Sequence, residues 1–160
     1  MIILGIDPGT TRIGYALIEK NSDESVDLII YGCLEIKSKK QTDRLKIISD
    51  STGDLILKHH PEILSIEKIF FTKNVKTALT VSEARGVIIN CANLMSLEVM
   101  EFTPLEVKTA VTGYGRAEKY QVQKMVKHIL KLEKMPKSDD AADAIAIALT
   151  ACYTNPKLKN

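Results

Sequence analysis

The chain has 160 residues, 45% of them hydrophobic, which suits one substantial core and lies close to the average for soluble globular proteins. No stretch reaches the length of a membrane span, and the opening residues carry neither a basic segment nor a small-residue cleavage site. A membrane or secreted protein is therefore disfavoured, and the cytoplasm is expected.

The formal net charge is only +2, but it is unevenly spread. Residues 1–36 hold two basic and six acidic groups; residues 104–137 hold eight basic and three acidic. That asymmetry suggests a positive surface on the later helices, although a solvated lysine row is its ordinary explanation. Cys33, Cys91 and Cys152 are odd in number and far apart, as expected of reduced core thiols. His59, His60 and His128 show no metal-ligand spacing with them and are expected at the surface or at helix ends.

Ile2–Ile6 is an apolar run without alternation, the mark of a strand buried on both faces. It ends at Asp7, because Pro8 has no N–H for a central ladder. An acid at the edge of a buried strand is costly unless a hydrogen bond, a cation or a function holds it there. Ile13–Lys20 is the next strand, close enough to the first for an antiparallel hairpin, and Val26–Ile36 is the third. From Arg44 the period becomes helical, with Leu45, Ile48, Thr52, Leu55 and Ile56 on one face, and the helix ends near His60, before Pro61. Ile63–Glu67 is a short apolar strand that again ends in a carboxylate.

A loop bearing Phe70, Phe71 and Lys73 leads to a long helix, roughly Val75–Met95, and Leu97–Phe102 is the fifth strand. Thr103-Pro104-Leu105-Glu106 reads as a capping box with proline at the first helical position. That helix runs out at Gly113-Tyr114-Gly115-Arg116. A helix over about Glu118–Leu132 buries Val122, Met125, Val126 and Ile129 and shows Lys119, Gln123, Lys127 and Lys131. Ser138 is placed to cap a last helix, Asp139–Tyr153, whose small side chains suit close packing on a sheet. Residues 1–153 are expected to form a single domain, with 154–160 as a frayed tail. The element order predicts an α/β fold: a five-stranded mixed sheet flanked by helices, with a three-helix C-terminal portion.

Asp7 and Glu67 end two buried strands, and strand ends beside a topological break are the usual place for a site. Asp140 and Asp143 lie three apart, on one helical face. If that face meets the strand ends, four carboxylates converge, and like charges in one pocket must protonate or take up a cation. All-oxygen ligation favours Mg²⁺ or Mn²⁺, which in pairs serve phosphodiester cleavage. The plainer account is that Asp139 and Asp140 complement the positive end of their helix, and it is preferred for Asp139. Asp143, the only charge inside the alanine-rich helix, fits that account poorly.

Ile-Leu-Gly-Ile-Asp-Pro-Gly at 3–9, Ile-Glu-Lys-Ile-Phe-Phe-Thr-Lys-Asn at 66–74, Glu-Ala-Arg-Gly at 83–86, Gly-Tyr-Gly-Arg-Ala-Glu-Lys at 113–119 and Asp-Ala-Ala-Asp-Ala-Ile-Ala-Ile-Ala at 140–148 resemble the bacterial RuvC Holliday-junction resolvases. The resemblance spans Ile3 to Cys152 in the family's order. It implies an RNase H-like fold and a homodimer that nicks opposed strands of a four-way DNA junction, alongside the RuvA–RuvB branch-migration motor. It further implies that Asp7, Glu67, Asp140 and Asp143 hold Mg²⁺, with Mn²⁺ able to substitute, and that Lys108 and Lys119 serve the scissile phosphate. Phe70 would stack on a base, with Lys73, Lys76 and Arg116 among the DNA contacts; the rival reading of Phe70 is a core side chain. The helix from Val75, with Val81, Ala84, Val87, Ile88 and Cys91 at helical spacing, is the candidate dimer seam or else a cover for the sheet.

Two other resemblances compete. Asp-Pro-Gly-Thr-Thr also resembles the first phosphate loop of actin-like and sugar-kinase ATPases, which normally need two lobes. The Asp-x-Gly-x-x-Arg-Ile-Gly pattern from Asp7 to Gly14 is shared with YqgF-like relatives, for which the substrate would be RNA. The Phe70 loop and the 113–119 segment favour the RuvC reading.

Overall fold

A computed structural model describes residues 1–69 and 75–154, with the side chains of Val75 and Lys76 left out of the description. Its elements in chain order are β1 (Ile2–Asp7), β2 (Arg12–Lys20), β3 (Val26–Glu35), α1 (Gln41–His59), β4 (Ile63–Glu67), α2 (Val75–Leu94), β5 (Glu98–Phe102), α3 (Pro104–Thr112), α4 (Lys119–Ile129) and α5 (Asp139–Thr154). The expected mixed sheet is present in the order β3-β2-β1-β4-β5. β1 pairs antiparallel with β2 and parallel with β4, so the first strand is central, as its unbroken apolar run requires.

Strand alternation sorts the core into two halves. Leu4 and Ile6 of β1, with Leu64 and Ile66 of β4, pack beneath α1 and α2. Ile3 and Ile63 face the other way, into the cluster formed with α3, α4 and α5. By the same period, Asp7 and Glu67 fall on the α5 side of their strands.

α5 sits unusually close to that side. A Cβ on Gly5 would come within 2.4 Å of the Ala144 carbonyl oxygen and 2.6 Å of the Ala148 Cβ. A Cβ on Gly14 would come within 1.9 Å of the Asp140 carbonyl oxygen. Gly5 is registered against Ala16 and Gly14 against Asp7, so these small residues form a shallow floor for the alanine helix. Ser65 of β4 donates its hydroxyl to the Ile147 carbonyl at 2.6 Å, and buried Lys20 reaches the Cys152 carbonyl at 3.0 Å near the other end of the helix. A cation suits that negative end.

The capping box forms as expected: Glu106 N–H donates to Thr103 Oγ1 at 3.1 Å, and Thr103 N–H donates to Glu106 Oε2 at 2.7 Å. Other expectations need correction. α1 begins at Gln41, a turn before the apolar period, because its first turn contributes no core residue. α4 ends at Ile129 rather than Leu132, where Lys131 takes a positive φ of 51°. α5 reaches Thr154, one residue into the expected tail; residues 155–160 lie outside the described residues. Cys33 is only half-buried, not a core thiol. Ala84, Ile88 and Cys91 of α2 are buried against the sheet and α1, so the apolar spacing read as a dimer seam is largely spent within the chain. No helix among the described residues is long and apolar enough to cross a membrane.

The closeness of α5 gives a direct test. Gly5→Ala should cost on the order of 3 kcal/mol in urea unfolding through overpacking. Gly86→Ala, in a helix with nothing within 4 Å of the added Cβ, should stabilise by up to about 1 kcal/mol. Equal behaviour of the two variants would show that the floor beneath α5 is slack.

Candidate active site

Each acid is brought to the site by a different constraint. Asp7 follows the last apolar residue of β1, where Pro8 stops the ladder, and Glu67 ends β4 in parallel alongside. The end of β4 is fastened from behind: Arg85 of α2 donates Nε to the Glu67 carbonyl at 3.0 Å and pairs with Glu101 of β5. Asp140 and Asp143 project from the first turns of α5, whose N–H groups are partly met by Ser138; Ala141 N–H lies 3.4 Å from its Oγ.

Two adjoining hollows meet at Glu67 and Pro104. One, of about 290 Å³, is lined by Glu67, Lys108, Lys119 and Asp143 among others; the second, of about 300 Å³, by Asp7, Glu67 and Lys68. The acids sense one another there. Burial, then the charges of Asp143, Glu67 and Asp140, push the Asp7 carboxyl up to about 7 against the opposing pull of Lys119. Burial and then Asp143 push Glu67 up to about 7. Asp143 is also raised, mainly by burial, although Lys119 pulls it down.

Basic residues hold the two helix acids. Lys119 Nζ lies 3.0 Å from Asp143 Oδ2 and 3.4 Å from Asp139 Oδ2. Burial works against the Lys119 charge, but its bond to Asp143 and the surrounding acids outweigh this and raise its pKa. Arg12 Nε lies 2.9 Å from Asp140 Oδ2. Two of the four acids are thus met by bases from distant elements. Asp139 does more than face the helix dipole, since Gln123 also donates to it at 3.3 Å.

The donor set is all oxygen, and two half-buried carboxylates that resist joint ionisation suit a hard divalent cation. The fit is one of chemistry and charge. No three His, Cys, Asp or Glu among the described residues are grouped closely enough to hold a metal ion, and Asp140 and Asp143 each give one oxygen, Oδ2, to a base.

Of the other expected site residues, Lys108 lines the first hollow, and Arg116 is exposed on the α3–α4 connector. Phe70 and Lys73, and the side chain of Lys76, lie outside the described residues. Arg12, Cys33 and Arg85 were not expected at the site. Arg12 and Arg85 sit inside quoted motifs, but nothing local reveals that their partners come from distant elements.

The family model for crossover junction endodeoxyribonuclease RuvC matches residues 3–151. The chain belongs to the RuvC family. A RuvC relative from Halothermothrix orenii is 50% identical over 156 residues, covering 97% of this chain and 93% of that protein. The solved RuvC of Thermus thermophilus superposes with a TM-score of 0.87 at 29% identity, covering 96% of this chain and 94% of that one. A second Thermus thermophilus RuvC structure, in complex with a Holliday junction substrate, gives 0.86 at 27% identity over the same shares. The protein is therefore a nuclease of RNase H-like fold, and RuvC membership implies dependence on a divalent metal in general.

The raised acids set a pH dependence. Unfolded, Asp7 and Glu67 titrate near about 4, so between that pH and about 7 the folded RuvC chain binds more protons. Their contribution to stability therefore falls as pH rises through this window and stays low above it. In a chelator, Asp7→Asn should be more stable than the parent to urea unfolding at about pH 8, by on the order of 2 kcal/mol, and the gain should shrink toward about pH 4. A gain independent of pH would mean that the Asp7 charge is not strained.

Proposed function

We propose that this protein resolves four-way DNA junctions by paired, Mg²⁺-dependent hydrolysis of phosphodiester bonds, with residues 1–153 acting as one nuclease unit. The observation that carries the reading is the gathering of Asp7, Glu67 and Asp143 with Lys108 and Lys119 about one cleft. Family membership supports it, as does the Thermus thermophilus relative solved with a Holliday junction.

In this reading Asp7, Glu67, Asp140 and Asp143 hold Mg²⁺, or Mn²⁺ in its place. When bound, such ions activate water and stabilise the leaving oxygen. The chain's own residues supply the remainder. Half-buried Asp7 and Glu67, whose carboxyls are raised to about 7, would hold the metal as carboxylates. Lys119 moves from Asp143 toward the scissile phosphate, and Lys108, which makes no ion pair among the described residues, offers the phosphate a second ammonium. Phe70 stacks on a base near the junction centre, a contact of roughly 1–3 kcal/mol, while Lys73, Lys76 and Arg116 hold backbone phosphates. Binding is accordingly salt-sensitive.

The protein acts as a cytoplasmic homodimer, each copy nicking one of two opposed strands, in company with the RuvA–RuvB motor. Exposed Leu79 and Leu94 on α2 offer apolar surface for pairing, in place of the buried Ala84, Ile88 and Cys91.

A synthetic four-way junction incubated with and without Mg²⁺ tests the reading. Symmetric paired nicks should appear only with the metal; equal cutting of linear duplex or of an RNA–DNA hybrid would turn the assignment to a generic or RNA-directed nuclease. Asp7→Asn should abolish cleavage and leave junction affinity largely intact, since removing an acid does not weaken phosphate attraction. Phe70→Ala should slow junction processing at unchanged melting temperature, whereas a loss confined to stability would make Phe70 a core residue.

A further inference from the structure

Asp140 is gripped by one oxygen only. Arg12 Nε meets Oδ2 at 2.9 Å, the Ser138 hydroxyl donates to the same oxygen at 3.2 Å, and the Cys33 thiol at 3.6 Å. These donors come from the start of β2, the residue before α5, and a point in β3 two residues before its end. Arg12 Nη2 also donates to Ser138 Oγ at 3.1 Å, so one guanidinium spans the carboxylate and the residue that caps the helix. Oδ1 makes no bond among the described residues. Beneath the same turn, the tight approach of Gly14 to the Asp140 carbonyl pins β2 to the helix start, so Arg12 and Asp140 are held in fixed relation.

We propose that Arg12 is a positioning residue for Asp140: by saturating Oδ2 it fixes the plane of the carboxylate and keeps Oδ1 available as a single-oxygen metal ligand. This rests on the metal-site reading above. Outer partners of this kind orient the groups that touch the metal, and losing them typically costs 10–100-fold in metal affinity. The role needs the planar fork of arginine, because a lysine ammonium brings the same charge without bonding Asp140 and Ser138 in one plane. It differs from two other uses of an exposed arginine here. A mere counter-ion would compete with an incoming cation, and a phosphate contact would act on DNA instead of metal.

The test is Mn²⁺ binding by the full chain without DNA, followed by calorimetry and by the electron paramagnetic resonance of free Mn²⁺. Junction affinity is measured separately in a chelator, and melting temperature records folding. Arg12→Gln and Arg12→Lys should both weaken Mn²⁺ binding about 10-fold at unchanged melting temperature. Arg12→Lys should keep the parental junction affinity. Ser138→Ala, which removes the other end of the fork, should weaken Mn²⁺ binding in the same direction. Parental Mn²⁺ affinity in Arg12→Lys would overturn the proposal by showing that charge alone suffices. Tighter Mn²⁺ binding by Arg12→Gln would overturn it in favour of a competing counter-ion. Loss of junction affinity with unchanged Mn²⁺ binding would overturn it in favour of a phosphate contact. Failure of the parent itself to bind Mn²⁺ would remove the metal site, and the role of Arg12 with it.

Discussion

The approach of α5 to the central strands is the constraint on which the site depends. A helix carrying ordinary side chains packs with its axis about 10 Å from a neighbour, too far for its first turn to share a pocket with a strand end. Here Gly5, Gly14 and Ala16 on the sheet, facing Ala144 and Ala148, bring backbone nearly into contact with backbone. Asp140 and Asp143 are thereby lowered to the level of Asp7 and Glu67. Lys20 near the far end of the helix, and Arg12 with Lys119 at its start, hold it along its length. The pattern of small residues serves the chemistry as well as the packing.

That closeness has an electrostatic cost. Carboxylates on β1, β4 and α5 are removed from water and placed within one another's field, and the carboxyls of Asp7 and Glu67 rise to about 7 in consequence. Strain of this kind is tolerated because the two core clusters around it are densely apolar. The charge opposing the strain comes from Lys119, which lines the cleft and is half exposed. In this reading Lys119 answers to Asp143 and Asp139 at rest and to a phosphate when DNA is present. Its position is thus coupled to substrate by ordinary charge competition.

The two faces of the sheet divide the work. α1 and α2 close one face with Ile48, Ile56, Ala84 and Ile88, and their main service to the site is indirect, through Arg85 behind Glu67. The other face, under α5, carries the acids together with Lys108 and Lys119. Alternation along β1 and β4 enforces this separation: a one-residue slip in either strand would turn its acid toward the α1–α2 side.

The strands, the capped start of α3 and the alanine helix were legible in the amino-acid sequence, because each is written in local terms: an unbroken apolar run, a Thr-Pro-x-Glu start, a period of 3.6. The four acids were legible as candidates, since Asp7 and Glu67 close apolar strands and Asp143 interrupts an apolar helix. The first turn of α1 was not, for it adds no residue to the apolar core and so leaves no periodic trace. Nor was the fate of the apolar row on α2, because periodicity marks a covered face without saying what covers it. The partners of the acids lay beyond sequence reading altogether. Arg12 meets Asp140, and Lys119 meets Asp143, only because a floor of glycine and alanine draws distant segments together. Local pattern fixes which side chains leave the core, whereas charge pairing depends on through-space distance, which the folded chain alone sets.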